Sequence, residues 1–227
     1  MISKEERYRR LIQLFEYENP AFRIKKELGR GQHGVAFELE DGNVIKFTID
    51  KRELRVCEAI LGTTNRHICN IFQIGKLSRT IDDYSYTWIV QERLYENKIL
   101  MPTSQAVTDF RHAWFWLYST NQNHRLHEGS LWDIYNRKDV PVIHCARRLL
   151  EQYIMNINND EYQYNILTDE EIGQRLSSSL MFFDFIQEAY QELFEICPFG
   201  RIDLNDGNFL FDRYGHLKTF DILTIDE

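Results

Sequence analysis

Apolar positions in residues 4–18 recur at helical spacing. Tyr8, Leu11, Ile12 and Phe15 fall along one side of an otherwise charged segment, which predicts an amphipathic helix packed on the body of the protein. From 22 to 94 the period shortens. "FRIKKEL", "GVAFEL", "NVIKFTI" and "YTWIVQERL" each read as a strand. "EDGN", between the second and third, is a hairpin turn in which Asp41 and Gly42 tolerate positive φ. One helix interrupts the strands: Asp50 is placed to cap it, Glu53 holds the capping-box position, and Leu54, Cys57, Ile60 and Leu61 line one face.

Past residue 94 the pattern turns helical and less regular. "AVTDFRHAWFWLYST", "LWDIYN" and "VIHCARRLLEQYIM" read as helical pieces, and the polar "NINNDEYQYN" as a loop. Thr168 to Glu171 form a second capping-box pattern. It opens a long helix with Leu176, Phe182, Ile186, Ala189, Leu193 and Ile196 near one face, ended by Pro198 and Gly200. A polar turn "DLNDGN", a strand "NFLFD", a turn at Tyr214 and Gly215 and a strand "HLKTFDI" complete the chain. The expected class is α+β: an N-terminal helix in 1–20, a strand-rich part in 21–95 and a mainly helical part in 96–227. There is no internal repeat.

Composition narrows the partners. With 227 residues, 43% of them hydrophobic and 15 of them Phe, the chain can fill one large domain or two small ones. A net charge of −8 speaks against a broad basic face, so no nucleic-acid partner is expected. Cys57, Cys69, Cys145 and Cys197 are scattered without metal spacing and read as reduced thiols of a cytoplasmic protein. "MISKEERYRR" has no apolar run behind its charges, and no apolar stretch is long enough to span a bilayer, so neither a secretory signal nor a membrane partner is expected.

Two segments carry candidate chemistry in the strand-rich part. "LGRGQHGVAF" spaces Gly29, Gly31 and Gly34 as GxGxxG between two strands. A dinucleotide fold would place a helix after the glycines. A strand on either side is the setting of a phosphate-covering hairpin, where missing side chains let backbone N–H groups approach oxygens. Twelve residues past Gly34, Lys46 sits in the apolar strand "NVIKFTI". A lysine there either points at water or finds an anion, a phosphate or a carboxylate.

These segments resemble the N-terminal lobe of the protein-kinase-like superfamily: glycine-rich loop, strand lysine, helix glutamate, then a hinge. The resemblance implies a two-lobed fold that binds ATP and Mg2+, with Lys46 gripping phosphates and Glu53 holding Lys46. Capping the helix behind Asp50 is the other role open to Glu53, and Glu58 is the reserve partner. The short spacing from Lys46 implies a short helix. "WIVQERL" resembles the strand that enters the hinge, which makes Gln91 the gatekeeper and turns backbone groups of Glu92 and Leu94 toward an adenine. "DLNDGN" resembles the catalytic loop. By that resemblance Asp203 positions the acceptor hydroxyl and takes its proton, Asn208 holds Mg2+, and Asp221 in "LKTFDI" is the second metal ligand. The likeness covers 22–94 and 176–222 and is to a compact bacterial or phage kinase-like protein with a truncated C-lobe.

The sequence also departs from that family. Arg201-Ile202 stands where the family has His-Arg, and Ile222-Leu223 where it has Phe-Gly. With the chain stopping at Glu227, no activation segment and no phosphorylation-dependent switch are expected, and residues 97–170 are expected to replace the missing floor. The expected activity is an ATP- and Mg2+-dependent phosphotransferase moving the γ-phosphate to a hydroxyl of a protein or small molecule. A pseudokinase acting by contact, and transfer of a different part of the nucleotide such as AMP, stay open beside it. "HRLHE" (124–128) is a metal pair or, with the better odds, a solvated turn. "WFWLY" (114–118) is an aromatic binding face or, again better, core packing.

Overall fold

A computed structural model describes residues 3–96, 104–120, 140–157 and 167–224. "HRLHE", "LWDIYN", most of "NINNDEYQYN" and the side chains of "WFWLY" lie outside the described residues. Among the described residues five helices, α1 (Lys4–Glu18), α2 (Lys51–Ile60), α3 (Ser104–Thr120), α4 (Val140–Met155) and α5 (Asp169–Ile196), accompany a five-stranded antiparallel sheet. Its strands are β1 (Ile24–Arg30), β2 (Gly34–Leu39), β3 (Val44–Thr48), β4 (Ile71–Lys76) and β5 (Thr87–Gln91), in the order β1-β2-β3-β5-β4.

Ser3 caps α1 by accepting the Glu6 N–H at 3.2 Å, and of the foreseen stripe Tyr8, Leu11 and Phe15 are buried while Ile12 is half-buried. It packs on one face of the sheet, against Val35, Phe37 and Leu39 of β2 and Ile45 and Phe47 of β3. These are alternate residues, so Ala36 and Lys46 turn to the opposite face. That face meets α2 and, through it, the helical part. A single apolar core runs from Val56 and Ile60 of α2 and Ile89 of β5 to Phe110 of α3, Leu150 of α4 and Phe182 and Ile186 of α5. The interior is therefore continuous across residue 95, where the strand-rich part gives way to the helical part.

Two expectations need correction here. The buried face of α2 is Glu53, Val56, Cys57 and Ile60, while Leu54 is half-buried and Leu61 lies beyond the helix, 43% exposed. Strand β4 was not anticipated, because an irregular register between Ile71 and Gln73 breaks its alternation and leaves Phe72 and Gln73 exposed.

Helices α3, α4 and α5 pack on one another. The capping box at the start of α5 is present: Thr168 Oγ1 accepts the Glu171 N–H, and Glu171 Oε2 accepts the Thr168 N–H. Asp109 of α3 is fully buried. It receives a two-pronged contact from Arg175 of α5 at 2.8 and 2.6 Å, and further hydrogen bonds from Ser179 and Gln105. Removing one member of a buried, hydrogen-bonded ion pair strands the other. Asp109→Ala is thus expected to lower the unfolding free energy by about 3–5 kcal/mol, read from urea denaturation.

The C-terminal segment adds β6 (Gly200–Ile202), a 3-10 turn (Asp206–Asn208), β7 (Phe209–Phe211), β8 (Leu217–Thr219) and β9 (Ile222–Thr224). Strand β6 pairs with β9 and β7 with β8, both antiparallel. "HLKTFDI" is not one strand. It breaks at Phe220 and Asp221, where Asp221 has φ +55° and redirects the chain from β8 into β9.

Candidate functional site

The three glycines differ in what the fold asks of them. They lie on the β1–β2 hairpin, where Gly29 pairs with Ala36 and the Gly31 N–H bonds the Gly34 carbonyl at 2.9 Å. A Cβ on Gly34 would come within 2.3 Å of the Phe47 carbonyl oxygen, so only glycine lets β2 approach β3 there. Around Gly29 a Cβ would meet nothing within 4 Å, and around Gly31 only one atom at 4.0 Å. Packing inside the chain gives no reason for those two glycines. Gly34→Ala is expected to cost about 2 kcal/mol or more in thermal unfolding, while Gly29→Ala and Gly31→Ala stay within about 0.5 kcal/mol of wild type.

Lys46 occupies the centre of β3, opposite Ala36 on one side and Ile89 on the other. Its Nζ lies 2.5 Å from Glu53 Oε1 in the first turn of α2 and also contacts Asp221 Oδ1. Glu53 therefore faces the lysine and is buried, while Glu58 is exposed. Asp50 caps α2 alone, through the Arg52 N–H. Burial works against the Lys46 charge, but the carboxylates of Glu53 and Asp221 outweigh it and hold the ammonium above its ordinary pKa. Burial pushes the Glu53 carboxyl up, Lys46 pulls it back, and the negative charge of Asp221 adds to the upward push. The cluster thus sets two carboxyl groups around one ammonium, which bridges α2 and the C-terminal segment.

Asp203, Asn208 and Asp221 converge through strand register. Ile202 pairs with Ile222, so Asp203 leaves β6 at the end of the ladder where Asp221 enters β9. Asn208 is buried and donates its Nδ2 to Asp203 Oδ2 at 2.9 Å and to the Asp203 carbonyl at 3.4 Å. The Asn208 carbonyl accepts the N–H of Phe220, next to Asp221, at 3.1 Å. Asn205 closes the turn by accepting the Gly207 N–H at 3.3 Å. With the Asn208 amide nitrogen committed to Asp203, its oxygen is the atom left for a cation. The Asp221 carboxylate, next to the Phe220 whose N–H the Asn208 carbonyl accepts, is a second hard oxygen donor near this turn, of the kind a magnesium ion takes.

At the end of β5 the Glu92 N–H bonds the Asn70 carbonyl at 2.9 Å, and the Glu92 carbonyl accepts a long contact of 3.6 Å from the Cys69 thiol. Leu94 is buried one residue before Tyr95, whose backbone exchanges two hydrogen bonds with Phe211 of β7. A small cavity of about 20 Å3 lies between α2, Gln91 at the end of β5 and the turn from β8 into β9, lined among others by Glu53, Cys57, Cys69, Gln91 and Asp221. Burial pushes the Cys69 thiol up to about 12, so it stays protonated and unreactive near neutral pH.

Sequence reasoning missed Lys218. Only 3% exposed on β8, its Nζ donates to Glu92 Oε2 and to the Asn65 carbonyl, each at 2.7 Å. The signal was available: a lysine in an apolar strand needs an anion, and "LKTF" raises the same question as "VIKF". No protein-family model matches the chain, and no curated protein is significantly similar to it.

Proposed function

We propose that this protein is a kinase-like phosphotransferase of two lobes, binding ATP with Mg2+ between them and moving the γ-phosphate to a hydroxyl of a protein or small molecule. One observation carries the proposal. Lys46 is paired at once with Glu53 of α2 and with Asp221 of the C-terminal segment, while Asp221 shares one ladder end with the hydrogen-bonded pair Asp203 and Asn208. A lysine, a helix glutamate, two aspartates and an asparagine thus meet from four separated stretches of chain.

Each side chain has a role in this scheme. Lys46, oriented by Glu53, turns from Asp221 to the phosphate chain. Gly29 and Gly31 leave room for phosphate oxygens beside backbone N–H groups. Asn208 and Asp221 hold Mg2+, which when bound neutralises charge building on the phosphates. Asp203, steadied by Asn208, orients the acceptor hydroxyl and takes its proton. Rate enhancement comes from positioning and fixed charge, with no covalent intermediate on the protein.

Parallel incubations with γ-labelled and α-labelled ATP in the presence of Mg2+ and a panel of hydroxyl acceptors test the reaction type. Label transferred from the γ position alone is expected. Transfer of the α label would mean nucleotidyl transfer, and no transfer from either, with nucleotide bound, would mean a binding module.

A further inference from the structure

We infer that Lys218 is a positioning residue that locks the base end of the proposed nucleotide site to its metal end. This rests on the nucleotide-site reading above. Lys218 lies three residues before Asp221, and its partner Glu92 carries the backbone that would face the base. The ammonium and carboxylate are 2.7 Å apart, and their side chains are 4% and 19% exposed. The same Glu92 oxygen accepts the Asn70 side-chain amide at 2.8 Å and the Asn70 N–H at 3.2 Å, while Asn70 Oδ1 accepts the Asn65 N–H at 2.7 Å. Backbone bonds run in parallel: Cys69 N–H to the Thr219 carbonyl at 2.9 Å, and Thr219 N–H to the His67 carbonyl at 2.8 Å.

Three stretches therefore meet on one buried cation: the α2–β4 connection, the end of β5, and β8. A buried ammonium is costly unless every donor is used, and two of the three Lys218 N–H bonds have named acceptors from two different stretches. An apolar side chain could fill the space, but it could not hold the Glu92 carboxylate. The choice of a charged pair gives β5 and β8 one mutual register, and with it the separation between the Glu92 carbonyl and the Asp221 carboxylate. The end of β5 and the Asp221 turn then move as one body, and any closure over a nucleotide falls to the β1–β2 hairpin.

The test uses the full chain as wild type, Lys218→Met, Glu92→Gln and the double variant. Each is unfolded in urea without ligand, and each is titrated with ATP in the presence of Mg2+. Lys218→Met should lose stability, because it leaves the half-buried Glu92 carboxylate without its cation. The double variant removes the stranded charge and should recover most of that stability. Its affinity for ATP with Mg2+ should nevertheless stay at least tenfold below wild type, because the register is no longer held. Recovery of affinity in step with stability would make the pair a packing element and overturn the proposal. So would a Lys218→Met variant that folds and binds like wild type. Wild type that binds no ATP would overturn the nucleotide reading and this proposal with it, an outcome distinct from the other two. If Lys218→Met does not fold, the double variant alone decides.

Discussion

Asp203→Ala lowers phosphoryl transfer by at least ~10² and leaves the rise in melting temperature given by ATP with Mg2+ in place. The proposed partner of Asp203 is the acceptor hydroxyl, which nucleotide binding does not involve. Its carboxylate accepts the 2.9 Å bond from Asn208, so alanine removes a turn bond and a proton acceptor without touching Lys46. A merely turn-shaping Asp203 predicts something else: lower stability without ligand, and transfer reduced only in proportion to the unfolded fraction. Unfolding curves with and without nucleotide, beside labelled transfer on the same preparations, separate the two. Equal transfer by wild type and variant would remove Asp203 from the chemistry.

Lys46→Ala abolishes most of the nucleotide-dependent stabilisation. A ligand that binds only the folded state raises stability in proportion to the logarithm of its concentration over Kd, so weaker binding appears directly as a smaller shift. The substitution also leaves Glu53 and Asp221 facing each other across the vacated space, with the Glu53 carboxyl already pushed up by burial. The variant's Glu53 pKa rises further and its ionised form becomes harder to keep folded. A carboxyl whose folded pKa is raised adds stability while protonated and loses it as pH climbs. Relative to wild type, Lys46→Ala should therefore be less destabilised in mildly acidic buffer than at neutral pH. Thermal unfolding across that range checks the sign, and a larger penalty at acidic pH would contradict it.

How much of this was legible in the chain depends on the kind of signal. Helix α1 was readable from the apolar spacing of Tyr8, Leu11 and Phe15 within 4–18, and the Ser3 cap that fixes its start agrees with it. The face of α2 was misread for a reason that matters to function. Glu53, Val56, Cys57 and Ile60 stand at i, i+3, i+4 and i+7, but hydrophobic periodicity passes over a carboxylate, so the stripe was drawn through Leu54 instead. Strand β4 hid behind an irregular register, which erases the period-two signal. The polar turn and the lysine of β3 could be singled out because each residue type looks misplaced in its neighbourhood. Their meeting was to be expected only through the family resemblance and not from the residues' own pattern, since it depends on the Ile202–Ile222 pairing and on the left-handed Asp221, both settled by contacts distant in sequence. The partner of Lys218 was hidden for the same reason: its anion, Glu92, lies 126 residues away, just past the end of β5.

The most direct test of the central claim is a calorimetric titration of the wild-type chain with ATP, with and without Mg2+. Saturable heat at or below millimolar nucleotide, stronger with Mg2+ and lost in Lys46→Ala, is the predicted result. No heat and no thermal shift at millimolar ATP with Mg2+ would contradict it, leaving Lys46, Glu53 and Asp221 as a structural ion cluster.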